Sequence, residues 1–253
     1  NVDRQDLENQ VKDMYRQVAQ NPHGDFHFEM GRSLTERLGY APEDLDRIPA
    51  AAVESFAGVG YHFDLADLKP GESVLDLGSG SGTDTFIAAL RVGSSGRVVG
   101  IDMTDEQRHK AERLRDEAGF RNVAYLKGYI EKLPVDDESF DAVISNGVIN
   151  LSPDKPGVFR EAARVLKSRG RLAISDIVTE VHLPEGVSSN ATLWAACIGG
   201  AMQQDSYAAA IGSAGFELIS KQDNERYRFI SENAIGASKK FGVKSISLLA
   251  VKL

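Results

Sequence analysis

Short apolar runs alternate with amphipathic stretches between residues 73 and 178. The runs are rich in Val, Ile and Leu, which is typical of parallel strands covered on both faces. They are SVLDL, RVVGID, NVAYLKG, FDAVISN and RLAISDIV. Strand, helix and strand repeated in this order predict an α/β fold with a doubly wound, Rossmann-like sheet.

Two sequence signals place helix starts within this region. The segment from Thr104 to Gln107 has capping-box spacing, and Ser152 precedes a proline, as a cap residue does when proline takes the first helical position. Both signals follow a predicted strand directly. They support the alternation of strands and helices.

The flanks differ from this core. Apolar residues three or four apart, at Leu7, Val11, Met14 or Tyr15, and Val18, predict an amphipathic N-terminal helix. Loops follow it, at 21–31 and 55–63, where Gly, Pro, His and aromatic residues mix without period. The Ala- and Gly-rich stretch 191–214 predicts helices, and SISLLAVKL predicts a last strand. We therefore expect a helical and loop cap over 1–65, a ligand-binding core over 66–180, and the rest of the same domain over 181–253.

Composition narrows the class of function. The chain of 253 residues is 42% hydrophobic and 26% charged, with a formal net charge of -8, so an ordinary globular core is expected and nucleic acid is not an expected partner. No stretch approaches the roughly 20 apolar residues of a membrane span, and no leader pattern opens the chain, which favours a cytoplasmic protein. The single cysteine, Cys197, excludes an internal disulfide and a Cys-rich zinc cluster, so no metal is predicted. A small-molecule partner is the remaining expectation, and the oligomeric state is left open.

The glycine-rich loop VLDLGSGSGTDTF is the most informative segment of the chain. Gly78, Gly80 and Gly82 follow a strand and precede a helix, where backbone without Cβ atoms lets a ligand approach the helix N-terminus. Asp76 interrupts the apolar strand just before them, where a carboxylate can accept from a cationic ammonium or from loop amides. A nucleotide-like cofactor with an amino-acid end fits this loop.

A dinucleotide is the alternative ligand. The spacing here is G-x-G-x-G, and Thr83 stands where the dinucleotide fingerprint has its third glycine, so NAD is disfavoured. Asp102 closes the next strand, 20 residues after Gly82, where a carboxylate can accept from both ribose hydroxyls. The ribose site is therefore expected at Asp102 with either ligand.

Two asparagines follow the strand FDAVISN. Asn146 falls at its carboxyl end, where open α/β sheets bind ligands, so we expect it at the floor of the site. Asn150 lies in the following turn, and asparagine often bonds its own backbone there, which favours a loop-organising role.

These motifs resemble the core of class I S-adenosylmethionine-dependent methyltransferases. With VVGIDMT, GYIEKLPV, SNGVINLSPDK and REAARVLKSRGRLAISDIV, the likeness narrows to the arsenite methyltransferase group and covers about residues 40 to 215. It implies a seven-stranded sheet with an antiparallel last strand, and S-adenosylmethionine as the cofactor. The implied contacts are Asp76, Gly78, Ser79, Gly80 and Gly82 around the methionine part, Asp102 on the ribose, Met103, Ile130 and Glu131 around the adenine, Asn146 and Val148 beneath the sulfonium, and Tyr15 from the N-terminal helix.

The resemblance breaks at the cysteines. Trivalent arsenic is a soft centre that prefers several thiolates, and this chain has one. Cys197 matches one cysteine position of the group, but Val59 and Gly147 occupy two others, and the paired cysteines of the N-terminal loop fall near Phe26 and His27. Arsenite is therefore not expected as the native acceptor, unless external thiols complete the site.

Histidines and aromatic residues occupy the loops where cysteines are missing. His23, His27 and His62 lie beside Phe26, Phe28, Tyr61 and Phe63. Neutral imidazoles can act as general bases, although loop histidines are often only hydrogen-bonded. The candidate catalytic residues are His27, His62 and Cys197, with a small buried apolar role as the alternative for the cysteine.

The leading hypothesis is a methyltransferase that uses S-adenosylmethionine to methylate a small molecule. The alternatives are an arsenite methyltransferase using external thiols and a homologue that binds the cofactor without chemistry, and a dehydrogenase is disfavoured by the glycine spacing.

Overall fold

The computed structural model describes residues 3–23, 28–188 and 198–253. Eight strands are present in these ranges. They are β1 (Ser73–Leu77), β2 (Arg97–Asp102), β3 (Val123–Lys127), β4 (Phe140–Asn146), β5 (Leu166–Thr179), β6 (Met202–Gln203), β7 (Phe216–Asp223) and β8 (Lys244–Lys252).

Helices fill the connections and the N-terminal part. They are α1 (Arg4–Gln20), α2 (Arg32–Leu38), α3 (Pro42–Leu45), α4 (Ala50–Glu54), α5 (Phe63–Ala66), α6 (Thr83–Val92), α7 (Asp105–Ala118), α8 (Lys155–Val165), α9 (Glu185–Ser188), α10 (Gln204–Ser213) and α11 (Glu232–Phe241). A single 3-10 turn spans Ile149–Leu151, between β4 and α8.

The strands form one sheet in the order β3-β2-β1-β4-β5-β8-β7. β1 to β5 run parallel, and β8 is antiparallel to both β5 and β7. This path confirms the predicted doubly wound, seven-stranded sheet with an antiparallel last strand. The two-residue β6 adds a short parallel pairing to the end of β5. The chain reverses direction across the sheet at β1, between β2 and β4, so a crevice opens at the carboxyl ends of these strands.

Buried apolar side chains cover both faces of the sheet. One core cluster joins the sheet to α6, α7 and the short helices of the N-terminal part, and a second joins it to α8 and α10. A third cluster brings α1 against α11 and the end of β5, through Leu7, Val11 and Ile177. The predicted helical face of α1 is buried as expected at Leu7, Val11 and Val18. Among the described residues, no helix is long and apolar enough to cross a membrane.

Local signals differ in two places from the sequence expectations. α7 begins directly after Thr104, but the Thr104 side chain makes no capping bond, and Gln107 instead accepts a hydrogen bond from Ser81 Oγ. At α8 the capping residue is Asp154, whose carboxylate accepts from Gly157 N, and the first-turn proline is Pro156. The prediction of a cap at Ser152 was wrong because its hydroxyl donates to Glu131 instead.

Two segments hold structure that periodicity did not predict. Residues 32–66 contain α2 to α5, none longer than seven residues, which is too short for a helical period to show. β7 is exposed along most of its length, so its sequence lacks the apolar content of the other strands. In the stretch 191–214, α10 agrees with the predicted helices, while 202–203 is a strand and 189–197 lie outside the described residues.

Candidate functional site

A cavity of about 580 Å³ lies at the carboxyl ends of β1, β2 and β4. It is the crevice that the sheet order predicts. Helix α1 covers it from above, and loops after β3 and β4 form one wall and the floor. Every predicted cofactor residue except Gly82 lines it, namely Tyr15, Asp76, Gly78, Ser79, Gly80, Asp102, Met103, Ile130, Glu131, Asn146 and Val148.

The glycine loop forms the wall beneath β1. Gly78 and Gly80 both have positive φ, and a Cβ on Gly78 would stand 2.5 Å from Val148 Cγ1. A Cβ on Gly80 would meet nothing within 4 Å. Because Gly80 lines the cavity, that open space is where a ligand can pass.

Gly82 has a different place from the predicted one. It lies at the N-cap of α6 with φ 103°, away from the cavity lining, and a Cβ there would stand 2.3 Å from the Tyr125 hydroxyl and 2.8 Å from Phe86. Its missing side chain therefore serves the close packing of α6 on β3. Gly82 itself does not line the cavity.

Two buried carboxylates, Asp76 and Asp84, face the cavity together. Asp76 is 2% exposed and Asp84 is 6% exposed, and both line the cavity. Burial raises the pKa of Asp76 well above its ordinary value, and the charge of Asp84 raises it further. Within the described residues, neither carboxylate has a lysine or arginine partner. A buried carboxylate pair of this kind favours a cationic ligand.

Neutral hydrogen-bond donors fix the orientation of both carboxylates. Tyr40 donates its hydroxyl to Asp84 Oδ1, and Asn146 Nδ2 lies 3.1 Å from Asp84 Oδ2. Thr85 Oγ1 donates to Asp76 Oδ2 at 2.9 Å. These donors orient the carboxylates without neutralising their charge, so the negative potential remains available to a ligand.

Two hydroxyls beside the carboxylates have unused hydrogen-bonding capacity. Ser79 Oγ and Thr83 Oγ1 are buried, line the cavity and have no hydrogen-bond partner among the described residues. Thr83 is the first residue of α6, so its hydroxyl lies at the positive end of that helix. An anionic group bound there would satisfy polar atoms that are otherwise costly to bury.

Asp102 closes β2 at the opposite end of the glycine loop. Its Oδ2 accepts from Gly80 N at 2.9 Å and its Oδ1 from Thr104 N at 2.8 Å. Burial raises the pKa of this carboxyl. Each oxygen keeps a second lone pair, so the carboxylate can still accept two hydroxyls from a ligand.

Hydrogen bonds at the cavity mouth join the loop after β3 to helix α1. Tyr129 OH donates to Glu8 Oε1 at 3.0 Å and accepts from Lys12 Nζ at 2.6 Å. Further along α1, the carbonyl of Tyr15 accepts a hydrogen bond from Gln107 of α7 at 3.1 Å. These hydrogen bonds hold α1 over the cavity mouth, in addition to the apolar packing of Leu7 and Val11.

The cavity lining is strongly acidic. Among the residues that the structure describes, six acidic residues and one basic residue line it. The acids are Glu8, Asp76, Asp84, Asp102, Glu131 and Asp154, and the base is Lys132. A ligand with a net positive charge is favoured there, and a pyrophosphate is opposed.

Asn146 connects the floor to the N-terminal part. Its Oδ1 accepts from Val59 N at 2.8 Å, and its Nδ2 lies within hydrogen-bond distance of Gly60 O and Tyr40 OH as well as Asp84. Asn150 has a structural place, because its Nδ2 donates to the buried Asp176 at 2.6 Å. Of the two amides, only Asn146 lines the cavity.

His62, a candidate catalytic residue, does not line the cavity. It is fully buried before α5, with Nδ1 at 3.2 Å from Ser175 Oγ and its ring stacked on Phe63. Its Nε2 lies 3.6 Å from Asp84 Oδ2, and burial lowers the pKa of the imidazole. The loop signal in the sequence did not show that this turn packs against β5.

The structure describes neither of the other two candidate catalytic residues. His27 and Cys197, with Phe26, lie outside the described residues. His23 is exposed and lies 3.2 Å from Glu54, and Tyr61 and Phe63 pack around Tyr40 instead of lining the cavity.

Two of the positions that the resemblance assigns to thiolates, Val59 and Gly147, adjoin each other in space. A Cβ on Gly147 would stand 3.2 Å from Val59 Cγ1, and Val59 is 1% exposed. The Val59 side chain packs against Gly147 here. They offer no ligand to a soft metalloid.

Sequence reasoning missed Asp84 and Tyr40. An acidic residue in the first turn of a helix is common for electrostatic reasons, so Asp84 carried no special signal beyond its place behind the glycine loop. Tyr40 is distant in sequence from the loop it reaches. Only the fold brings its hydroxyl to Asp84.

Comparison with known proteins agrees with this site. Residues 68–233 match the family described as Methyltransferase domain. An arsenite methyltransferase of Halobacterium salinarum is 41% identical over 205 residues, covering 81% of this chain and 52% of the relative. A ubiquinone/menaquinone biosynthesis C-methyltransferase of Legionella pneumophila is 34% identical over 122 residues, covering 48% of this chain and 49% of the relative.

A solved structure extends the comparison to the fold. The arsenic (III) S-adenosylmethionine methyltransferase of Chlamydomonas reinhardtii superposes with a TM-score of 0.65 at 30% identity, covering 88% of this chain and 74% of that one. The fold is that of S-adenosylmethionine-dependent methyltransferases. This chain belongs to the methyltransferase domain family. It spans about half the length of the curated relatives it matches.

Proposed function

We propose that this protein transfers the methyl group of S-adenosylmethionine to a small organic molecule. The observation that carries the proposal is the buried pair Asp76 and Asp84, which has no lysine or arginine partner among the described residues and lies beside the unsatisfied hydroxyls of Ser79 and Thr83. A zwitterionic amino-acid end matches both features, with its ammonium at the carboxylates and its carboxylate at the hydroxyls.

The residues present fit the rest of this cofactor. Asp102 would accept from the ribose hydroxyls, Met103 and Ile130 would pack on the adenine, and Glu131 would border it. Gly80 leaves the open space through which the ligand runs. Gly82 would act on the cofactor only through the packing of α6.

When bound, S-adenosylmethionine supplies a methyl group on a positively charged sulfur. Transfer is an in-line displacement, so the chain mainly has to orient the donor and exclude water. Asn146 and Val148 would form the floor beneath the sulfur, while α1 with Leu7, Val11 and Tyr15 would cover the ligand from above.

The acceptor we propose is organic, because the places expected to carry thiolates are filled by Val59 and Gly147. The arsenite methyltransferases among the relatives favour metalloid chemistry as the second candidate. His27 and Cys197 stay candidate catalytic residues in this proposal. We do not propose His62 as a base in contact with the acceptor.

The organisation we propose has three parts. Residues 1–65 act as the cap and lid, 66–180 hold the cofactor, and 181–253 complete the domain on the acceptor side. Two further expectations rest on sequence alone: a cytoplasmic location, and a partner set without nucleic acid, the latter from the net charge of -8.

A screen with labelled methyl donor tests the proposal. Thiols, phenols, amines and activated carbons would be offered in parallel with arsenite plus glutathione. Label should pass to an organic acceptor, and Asp84→Asn should reduce its transfer, while Asp136→Asn, at an exposed position outside the cavity, should not. If arsenite is methylated rapidly and no organic compound is, the acceptor is the metalloid and the proposed organic acceptor is wrong.

A further inference from the structure

Lys155 is a buried lysine beneath the floor of the cavity. It is the first residue of α8, is 4% exposed, and donates from Nζ to the carbonyl of Ser152 at 2.8 Å. Burial lowers the pKa of its ammonium to about 8, against the attraction of Asp176 and Glu131. Burying a charged ammonium group costs free energy, which its contacts with neighbouring groups offset only in part.

The segment that Lys155 contacts forms the cavity floor. Val148, Leu151, Ser152 and Pro153 all line the cavity. On one side of Leu151, Asp176 accepts from Asn150 N at 3.3 Å and from Asn150 Nδ2 at 2.6 Å. On the other side, Lys155 holds the Ser152 carbonyl. Leu151, the apolar residue of the floor, therefore lies between two backbone positions that are held by the buried side chains of Asp176 and Lys155.

Lys155 is also connected to the cavity wall through Ser152. The hydroxyl of Ser152 donates to Glu131 Oε1 at 2.6 Å, and Glu131 lines the cavity on the side of the loop after β3. The same hydroxyl accepts from Asp154 N at 3.1 Å. A shift of Ser152 would thus move the floor and the position of Glu131 together.

Asp176 has hydrogen-bond donors on β5 and α10. It accepts from Tyr207 OH at 2.6 Å and from Ile177 N at 2.9 Å, besides Asn150. The charges that act on Lys155 are those of Asp176 on β5 and Glu131 after β3. Tyr207 on α10 contacts Asp176, and Asp154 precedes Lys155 in the chain. The hydrogen bond from Lys155 Nζ to the Ser152 carbonyl is directed at the floor segment.

We propose that Lys155 is a positioning residue of the cofactor site, whose positive charge holds the floor segment 148–154 and Glu131 in the arrangement on which the cofactor lies. The proposal rests on the proposed function, because it assumes that S-adenosylmethionine binds in this cavity.

Stability and binding should then respond in opposite directions when Lys155 is replaced. The ordinary pKa of lysine is 10.5, and the folded-state pKa lies below it. Between these two values the unfolded chain holds more protons than the folded one, so stability rises with pH through that window. Charged Lys155 therefore opposes folding at neutral pH. Lys155→Met should fold at least as stably as wild type and still bind the cofactor less tightly.

The test is calorimetric binding of S-adenosylhomocysteine from pH 7 to pH 9.5. The proteins are wild type, Lys155→Met and the control Lys167→Met, which removes a half-exposed lysine paired with Asp141 outside the cavity. Thermal unfolding of each is measured alongside. We expect Lys155→Met to weaken binding about tenfold at pH 7, as loss of a charge-assisted hydrogen bond does. The control should match wild type.

The pH dependence separates positioning by charge from simple packing. The ratio of the two dissociation constants should fall towards one above pH 9, because wild-type Lys155 is neutral there. Titration of the ligand's own amino group affects all proteins equally and cancels in the ratio. A constant ratio across the range, or equal affinity at pH 7, would overturn the proposal.

Two outcomes remain to be distinguished. Failure of wild type to bind S-adenosylhomocysteine at all would reject the proposed function itself. Failure of Lys155→Met to fold would contradict the expected stability, and Lys155→Gln would repeat the comparison with a neutral side chain that keeps a donor. If that variant is also unstable, the lysine supports folding, and the positioning role is overturned.

Discussion

Asn146 joins the end of β4 to the N-terminal part of the chain by accepting a hydrogen bond from Val59 N on its Oδ1 at 2.8 Å. Its Nδ2 reaches Gly60 O at 3.0 Å and Asp84 Oδ2 at 3.1 Å on the other side. One amide thus fixes a loop of the cap and a carboxylate of the cavity. The sequence predicted its place at the cavity but not this connecting role.

Replacing Asn146 by aspartate should loosen this connection. Asn146→Asp keeps the shape but loses the donors to Gly60 O and Asp84, and adds a negative charge beside a carboxylate. We expect a loss of about 2–4 kcal/mol in the free energy of unfolding, since buried groups are left unpaired. Denaturant titration measures it. The exposed Asn233→Asp is the control, and equal stability of the two variants would show that the amide contacts carry no weight.

Gly80 and Gly119 offer a matched test of the glycine loop. Both have positive φ and a Cβ would meet nothing within 4 Å at either, but only Gly80 lines the cavity. Gly80→Ala and Gly119→Ala should each lose about 1–2 kcal/mol of stability from the left-handed backbone. Only the first should also weaken binding of S-adenosylmethionine, at least tenfold. Unchanged affinity in Gly80→Ala would place the ligand elsewhere.

The raised pKa of Asp76 makes ligand binding depend on pH. Its folded-state pKa lies above 3.8, so the folded chain holds the proton over a range where the unfolded chain has lost it. Stability of the empty protein should therefore fall as pH rises through that range. A cationic ligand favours the ionised carboxylate, so the rise in melting temperature caused by S-adenosylmethionine should grow from pH 4.5 to pH 7.5.

Asp76→Asn checks the cause of that dependence. The amide keeps an acceptor for Thr85 Oγ1 and removes the buried charge, so the empty variant should be about 1–2 kcal/mol more stable at neutral pH. The ligand-induced shift should shrink and lose most of its pH dependence. A variant that is less stable and still shows the full pH dependence would assign the titration to another group.

The contact between α1 and Tyr129 predicts how the cavity opens. Tyr129→Phe removes hydrogen bonds to Glu8 and Lys12 at an exposed position, where such contacts contribute little to stability. The dissociation rate of the cofactor should rise a few-fold, with unfolding unchanged, in a stopped-flow displacement experiment. A dissociation rate equal to that of wild type would mean that this contact does not govern opening.

The sheet was predictable because its signals are local. β2 and β4 have the bounds that their apolar runs predicted, and the glycine loop after β1 marked the site. Buried strands in a parallel sheet leave continuous apolar runs, which single-sequence reasoning detects well. By contrast, β5 begins at Leu166, five residues before its apolar run, because the exposed residues 167–169 interrupt the apolar pattern.

The polar network around the cavity was not predictable in the same way. Tyr40 meets Asp84 across 44 residues of sequence and His62 meets Ser175 across 113. Such contacts depend on how the short helices α2 to α5 pack on the sheet, and those helices have no period of their own. His62 was therefore expected at a loop surface, whereas the fold buries it completely.

Calorimetric titration of S-adenosylmethionine and NAD into wild type and Asp84→Asn tests the central claim most directly. The acidic cavity predicts that wild type binds S-adenosylmethionine and not NAD, because a cation is attracted where a pyrophosphate is repelled. Asp84→Asn should weaken S-adenosylmethionine by about 1–3 kcal/mol, the range for a hydrogen bond to a charged group, with the fold intact. Tight binding of NAD, or S-adenosylmethionine affinity unaffected by Asp84→Asn, would contradict the account.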